Sequence, residues 1–140
     1  MSSVLSCFTD GAALGNSSNS DAGWAFYIPE LKISDSGYII GTNNYAELMA
    51  MKKLFEYLLT IQPDKSVLIF SDSKYAIGAM TGNMVKANKE LIAEIKKIRS
   101  GLGCKVLIKH CGAHTGKKDF VSAGNDVVDK LARERAKNKN

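Results

Sequence analysis

The sequence predicts an α/β fold in which one mixed sheet carries helices on both faces. Two observations lead to this prediction. The first forty residues hold apolar segments of strand length separated by turn residues, and from about residue 43 helical periodicity alternates with short apolar strands. An antiparallel meander followed by alternating strands and helices is typical of a mixed sheet with helices packed on it.

Three strands open the chain as an antiparallel meander. The first is predicted over Val4–Asp10, and the stretch from Gly15 to Asp21, rich in Gly, Asn and Ser, forms the turn after it. The chain returns over Gly23–Ile28, where Pro29 ends the second strand. Gly37–Ile40 forms the third strand.

Helical spacing begins after the meander. Asn43 or Asn44 is expected to cap a first helix that runs to about Thr60, because apolar residues recur there at three- and four-residue intervals. Val67–Phe70 is predicted as a short buried strand. The Ser71–Ser73 segment is expected to cap a second helix.

The rest of the chain supplies two more helices and a fifth strand. The second helix is expected to end near Met80, and a third spans about Ala87–Arg99. Lys105–Cys111 forms the last strand. After a polar loop, Asp126–Lys137 forms the closing helix.

Composition and charge narrow the function classes. The 140 residues suit one domain, expected to span residues 1–140, and no apolar stretch is long enough to cross a membrane. Residues 1–60 carry a net charge of −3 and residues 61–140 a net charge of +8. The basic second part favours a polyanionic partner such as nucleic acid, or, alternatively, forms a solvated lysine-rich surface. Three cysteines and no leader sequence predict free thiols in a reducing, cytoplasmic compartment.

Four carboxylates fall where strand ends and helix starts converge in such a sheet. They are Asp10, Glu47, Asp72 and Asp129. Clustered acids repel one another, so a site of this kind exists to hold cations, and oxygen ligands alone favour Mg²⁺ or Mn²⁺. Each acid could instead be a solvated surface charge, or could interact with a helix dipole.

Five motifs resemble, in order, the signature of type 1 ribonuclease H. The resemblance covers nearly all of residues 4–136 and implies a ribonuclease H-like fold with five strands. The motifs are Phe8–Asn16, Gly41–Leu48, Ser71–Tyr75, His114–Gly116, and Gly124–Asp129 running on to Leu131–Arg133.

The resemblance implies an endonuclease that hydrolyses the RNA strand of RNA–DNA hybrids with two Mg²⁺ ions, or Mn²⁺, and leaves 5′-phosphate and 3′-hydroxyl ends. Asp10 would bridge both ions, and Glu47 and Asp72 would complete the shell of the ion that faces the leaving oxygen. Asp129 would hold the ion that activates the attacking water.

The resemblance also implies a histidine on a loop beside these acids, which would relay a proton or help product and metal leave. His114 fits this role because it follows the last strand with Thr-Gly, whereas His110 lies within the strand. Together with Cys104 and Cys111, these two histidines could also be interpreted as a zinc cluster, although their spacing is irregular.

The resemblance also assigns substrate contacts. Residues expected to touch the hybrid are Asn16, Thr42, Asn43, Asn44, Lys74 and Asn125, with Thr42 on the DNA-strand phosphates and Glu47 near a 2′-hydroxyl. The chain lacks the tryptophan-rich basic protrusion of many bacterial members, so affinity is expected from its own lysines, among them Lys86, Lys89, Lys96, Lys97, Lys117 and Lys118. Residues 115–124 look longer than in compact members.

Other functions stay open at this stage. A nuclease on the same scaffold could act on duplex RNA or branched DNA, and the chain could be a domain of a reverse transcriptase. A binding module that has lost catalysis is disfavoured because all four acids are present. We expect a monomer with no amino-terminal hybrid-binding domain, since the first strand begins close to Met1.

Overall fold

The computed structural model describes residues 3–82, 86–111 and 119–139. A short 3-10 helix, Pro29–Leu31, separates the second and third strands. In chain order the other elements are β1 (Val4–Ala13), β2 (Asp21–Ile28), β3 (Ile33–Ile40), α1 (Asn43–Ile61), β4 (Ser66–Ser71), α2 (Lys74–Thr81), α3 (Lys89–Ser100), β5 (Val106–His110) and α4 (Phe120–Lys137).

The five strands form one mixed sheet in the order β3-β2-β1-β4-β5. The first three pair antiparallel, whereas β4 pairs parallel to β1 and β5 pairs parallel to β4. Thr9 lies beside Ser71 in the parallel pair, so Asp10 and Asp72 follow these residues at the same edge of the sheet. The mixed sheet predicted from the sequence is confirmed.

Helices cover both faces of the sheet, as predicted. Alternate side chains of β1 point to opposite faces. Leu5 and Cys7 pack into the larger core with α1, α2 and α3, whereas Phe8 packs against α4. Val128 and Ala132 are the buried residues that α4 contributes to this second core.

The start of α1 differs from the sequence prediction. The cap is Thr42, whose hydroxyl oxygen accepts a hydrogen bond from the backbone N–H of Tyr45 at 3.1 Å. The prediction of a cap at Asn43 or Asn44 was therefore wrong. The Asn43 side-chain oxygen instead accepts from the backbone N–H of Ala13 at 3.2 Å, which ties the end of β1 to the start of α1.

The third strand and the last helix begin well before the residues that the sequence predicts. The third strand starts at Ile33 rather than Gly37, because pairing with β2 continues to the end of the hairpin. The last helix starts at Phe120 rather than Asp126, with the Asp119 carboxylate accepting from the backbone N–H of Ser122. Half of the segment expected to be a long loop is thus helix.

Tertiary packing explains why α4 contains a glycine. Gly124 is a poor helix former, yet it lies against the ring of Phe8, where any added Cβ would overlap the ring atoms. The close approach of helix and sheet therefore requires glycine at this position. Among the described residues, no helix has the length and apolarity needed to cross a membrane.

Candidate active site

Three of the four predicted acids converge at the edge of the sheet. Asp10 lies on β1, Glu47 on α1, and Asp72 directly after β4. One carboxylate oxygen from each lies within 4.8 Å of the other two. Asp10 and Glu47 are almost fully buried, at 3% and 5% exposed. Only the tertiary fold brings these residues together, since they are far apart in sequence.

Glu47 is positioned by a close contact between β1 and α1. A Cβ added to Gly11 would overlap the backbone of Ala46 and Glu47, so glycine permits this approach. Glu47 begins the second turn of α1 rather than lying in the first turn, which contains no acidic residue. Its location therefore does not reflect capping of the helix dipole.

Asp72 is held by a turn between β4 and α2. The Ser71 hydroxyl oxygen accepts from the backbone N–H of Ser73 at 3.1 Å. Ser73 in turn caps α2, because its side chain accepts from the backbone N–H of Ala76 at 3.0 Å. The Ser71–Ser73 segment therefore acts as a cap, as the sequence predicted, and it presents Asp72 toward the other acids.

The electrostatics of this cluster favour a cation. Burial, with the nearby carboxylate of Asp72, raises the pKa of Asp10 to about 8, although the Gly11 backbone N–H donates to Asp10 at 2.8 Å and opposes the shift. Burial also raises the pKa of Glu47 well above its usual value, and the Asp10 and Asp72 charges add to this effect. Confining several acids in one buried space destabilises their charged forms, which a cation would compensate.

The donor set fits a hard divalent ion. Glu47 Oε1 is buried and accepts no hydrogen bond from the described part of the chain. A buried, unpaired carboxylate oxygen is costly unless a ligand satisfies it. Carboxylate oxygens are the ligands that Mg²⁺ and Mn²⁺ prefer. The three acids therefore suit such an ion.

Asp129 lies on the same cleft but outside this mutually close group. The cleft measures about 400 Å³ and is lined by both Asp129 and Arg133 as well as the three acids. Asp129 also acts through space to raise the pKa of Asp10. It is the tenth residue of α4, not near its start as predicted, because the helix begins earlier.

The predicted substrate residues are distributed unevenly. Asn43, Asn44 and Lys74 line the cleft. Asn16 is exposed in the turn after β1, and Asn125 is buried, with its side-chain oxygen accepting from the thiol of Cys111. Thr42 is partly buried and caps α1. His114, Lys117 and Lys118 lie outside the described residues.

Sequence reasoning missed a second groove beside the cleft. It measures about 590 Å³, and its lining includes Tyr45 and Met49 of α1 together with Lys86 and Lys89. The side-chain amide of Asn88, which lines this groove, donates to the hydroxyl of Tyr75, which lines the cleft, at 3.1 Å. The groove was missed because the apolar residues at helical spacing on α1 indicated only a helix face that packs in the core.

The zinc interpretation finds no support in the described ranges. There, the mutually close set of possible metal ligands consists of carboxylates, and Cys104, His110 and Cys111 form no such group.

Sequence reasoning also missed Arg133 as a site residue. Arg133 is part of the last motif, and its spacing of four residues from Asp129 on a helix could have linked the two side chains.

Comparisons with known proteins agree with this architecture. A family model described as RNase H matches residues 2–137. The ribonuclease H of Tropheryma whipplei (strain Twist) is 34% identical over 145 residues, which cover 93% of this chain and 83% of that protein. The Gag-Pol polyprotein of avian reticuloendotheliosis virus is 31% identical over 143 residues, which cover 91% of this chain but 12% of the polyprotein.

Solved structures give the same result. LC11-RNase H1, isolated from compost by a metagenomic approach, matches with a TM-score of 0.78 and 25% identity over 97% of each chain. LC11-RNase H1 in complex with an RNA/DNA hybrid matches with a TM-score of 0.77 and 26% identity, over 95% of this chain and 96% of that one. The chain belongs to the ribonuclease H family, and its predicted resemblance to the type 1 enzymes is confirmed.

Proposed function

We propose that this chain is an endonuclease that hydrolyses the RNA strand of RNA–DNA hybrids. The observation that carries the proposal is the group of Asp10, Glu47 and Asp72, the first two buried and the third partly buried, which lines a cleft in a member of the ribonuclease H family. The match to LC11-RNase H1, solved with an RNA/DNA hybrid, supports the substrate class.

Two Mg²⁺ ions are proposed as cofactors, with Mn²⁺ as an alternative. Asp10, Glu47, Asp72 and Asp129 would hold them, which the oxygen-only donor set and the unpaired Oε1 of Glu47 support. When bound, such ions lower the pKa of water and neutralise charge on a phosphoryl group, and the products would carry 5′-phosphate and 3′-hydroxyl ends.

The chain's own side chains would orient the hybrid at the cleft. Lys74 is exposed at its rim and can donate to a backbone phosphate. Asn44 is exposed beside it and can hydrogen-bond a base edge or a 2′-hydroxyl, the group that distinguishes RNA from DNA. Asn43 is engaged with Ala13, so its contribution would be to hold the start of α1 in place.

The neighbouring groove would bind the nucleic acid further from the reacting phosphate. Lys86 and Lys89 supply positive charge, which Glu90 and Glu94 in the same lining partly offset, and Tyr45 supplies an aromatic ring. Lysines that neutralise phosphates give sequence-independent affinity, as a hybrid nuclease without base specificity needs. The groove therefore supports an extended binding surface in the absence of a tryptophan-rich protrusion.

The proposed context is a reducing, cytoplasmic one, in which the protein acts as a monomer. Cys7, Cys104 and Cys111 are free thiols in the structure, and Cys7 and Cys111 are buried.

A cleavage assay with one labelled strand tests the proposal. RNA–DNA, RNA–RNA and DNA–DNA duplexes of one sequence would be compared in Mg²⁺ and in Mn²⁺. We expect cleavage of the RNA strand of the hybrid alone, loss of cleavage in Asp10→Asn, and unchanged cleavage in Asp35→Asn, where the acid is exposed on β3. Equal cleavage of duplex RNA, or activity without any divalent cation, would overturn it.

A further inference from the structure

One side chain links the two parts of the fold that carry Asp72 and Asp129. Cys111 follows β5 directly, and its backbone N–H donates to the carbonyl oxygen of Ser71 at 2.9 Å. Its thiol donates in the opposite direction, to the side-chain oxygen of Asn125 on α4, with Sγ and Oδ1 3.6 Å apart. Cys111 and Asn125 are each 4% exposed.

Each end of this link lies next to a carboxylate of the candidate site. Ser71 directly precedes Asp72, and its hydroxyl oxygen holds the turn that presents that acid. Asn125 lies four residues before Asp129 on the same helix, so their side chains share one face of α4. Cys111 therefore connects the turn that positions Asp72 with the part of α4 that positions Asp129.

The burial of this contact makes it hard to replace. Leaving a buried amide oxygen without a hydrogen-bond donor costs more free energy than a typical hydrogen bond contributes to stability. For the Asn125 oxygen, the donor is the thiol of Cys111. Burial and the nearby charge of Asp72 raise the pKa of Cys111 to about 11, so the thiol keeps its proton at neutral pH. Removing the thiol would leave the Asn125 oxygen unsatisfied inside the protein.

Packing on the other side of α4 leaves little room for adjustment. Gly124 lies against Phe8 so closely that no Cβ fits between them. The distance between α4 and β1 is set by that contact. The Cys111 contact then fixes the same turn of α4 against the ends of β4 and β5.

We infer that Cys111 is a positioning residue, whose thiol holds Asn125 and thereby fixes Asp129 relative to Asp72 for cation binding. The inference rests on the proposed function. It also gives Asn125 a structural role beside its predicted substrate contact, because its side-chain oxygen faces a thiol in the interior.

The test measures Mn²⁺ binding by isothermal titration calorimetry without substrate, with urea unfolding of every variant in chelator. The variants are Cys111→Ala, Cys111→Ser, Asn125→Ala and the double variant Cys111→Ala/Asn125→Ala. The matched control is Cys7→Ala, which removes a buried thiol bonded to the Leu5 carbonyl in the other core.

We expect Cys111→Ala and Asn125→Ala each to weaken Mn²⁺ binding about tenfold, as loss of a group that orients metal ligands does. The double variant should lose no more than the weaker-binding single variant, because both remove one contact. Cys111→Ser should restore binding, since a hydroxyl also donates. Cys7→Ala should lose stability and keep binding.

Two results would overturn the inference. One is unchanged Mn²⁺ binding in folded Cys111→Ala, and the other is additive losses in the double variant. A different result would overturn the proposed function. If the unaltered protein bound no divalent cation and cleaved no hybrid, both that function and the role of Cys111 would be wrong.

Discussion

Arg133 and Asp129 form an ion pair along one turn of α4, with Arg133 Nε 3.0 Å from Asp129 Oδ1. Both residues line the cleft that holds Asp10, Glu47 and Asp72. The guanidinium therefore brings a fixed positive charge next to a carboxylate that we propose as a cation ligand. It opposes the binding of a divalent ion there.

Replacing Arg133 with Gln should strengthen cation binding. Two unit charges 4 Å apart in water interact by about 1 kcal/mol, which corresponds to roughly a fivefold change in affinity. Calorimetric titration with Mn²⁺, without substrate, measures this change. Lys130→Gln is the control, because it removes an exposed positive charge from the same helix and leaves the ion pair between Arg133 and Asp129 in place. Equal gains in both variants would show that the ion pair has no specific effect.

Replacing Asp10 with Asn should abolish most cleavage. A group that bridges two ions contributes several kcal/mol to the transition state, and each 1.36 kcal/mol is tenfold in rate, so the rate should fall on the order of 10³-fold or more. Single-turnover cleavage of a labelled hybrid measures it. Retention of more than about a tenth of the rate would place Asp10 outside the catalytic group.

The same carboxylate should make metal-free stability depend on pH. The folded-state pKa of Asp10 is about 8, against an ordinary value of 3.8. The folded protein therefore binds more protons than the unfolded chain between these values, and the free energy of unfolding should fall as pH rises from about 4 to about 8. Urea unfolding in chelator across this range measures the slope, which should flatten in Asp10→Asn.

Asp10→Asn should also be more stable than the unaltered protein at neutral pH without metal. It removes a buried charge, and its amide can donate to Glu47, so the melting temperature should rise by about 3 °C or more. Saturating Mg²⁺ should raise the melting temperature of the unaltered protein more than that of the variant, because a ligand stabilises only the state it binds. A less stable variant with an equal response to Mg²⁺ would contradict the four-acid site.

The salt dependence of hybrid binding should report on the groove. Each phosphate contact contributes about 0.7 to 0.9 to the slope of log affinity against log salt. Replacing Lys86 and Lys89 with Ala should therefore reduce the slope by roughly one to two, as measured by fluorescence anisotropy in Ca²⁺ or with inactive protein. Lys105→Ala is the control, because Lys105 precedes β5 at the opposite end of the sheet. An unchanged slope in the double variant would exclude the groove.

Gly11→Ala should disrupt the site from within the fold. The added Cβ would overlap the backbone of Ala46 and Glu47, so α1 must shift, at a cost of about 1–3 kcal/mol of stability and a displaced Glu47. Gly103→Ala is the matched control, because its nearest neighbour is the Gln62 side-chain oxygen at 3.8 Å. Urea unfolding and Mn²⁺ titration measure both effects. We expect lower stability and weaker Mn²⁺ binding in Gly11→Ala and neither change in Gly103→Ala.

Much of this protein can be predicted from the sequence because its signals are local. The change from strand spacing to helical spacing near residue 43 predicted the mixed sheet with helices on both faces. The motifs around Asp10, Glu47 and Asp72 predicted the family and the acids that the structure brings together. In each case neighbouring residues carry the information, whether as hydrophobic period or as a recurring motif.

The tertiary structure decided what depends on distant partners. The Asn43 side chain bonds to the backbone of Ala13 thirty residues away, and Gly124 fits against the ring of Phe8 where no Cβ would. Neither partner is visible in the local sequence. The raised pKa of Asp10 and the link from Cys111 to Asn125 have the same origin, since burial and through-space contacts exist only once the sheet and helices pack.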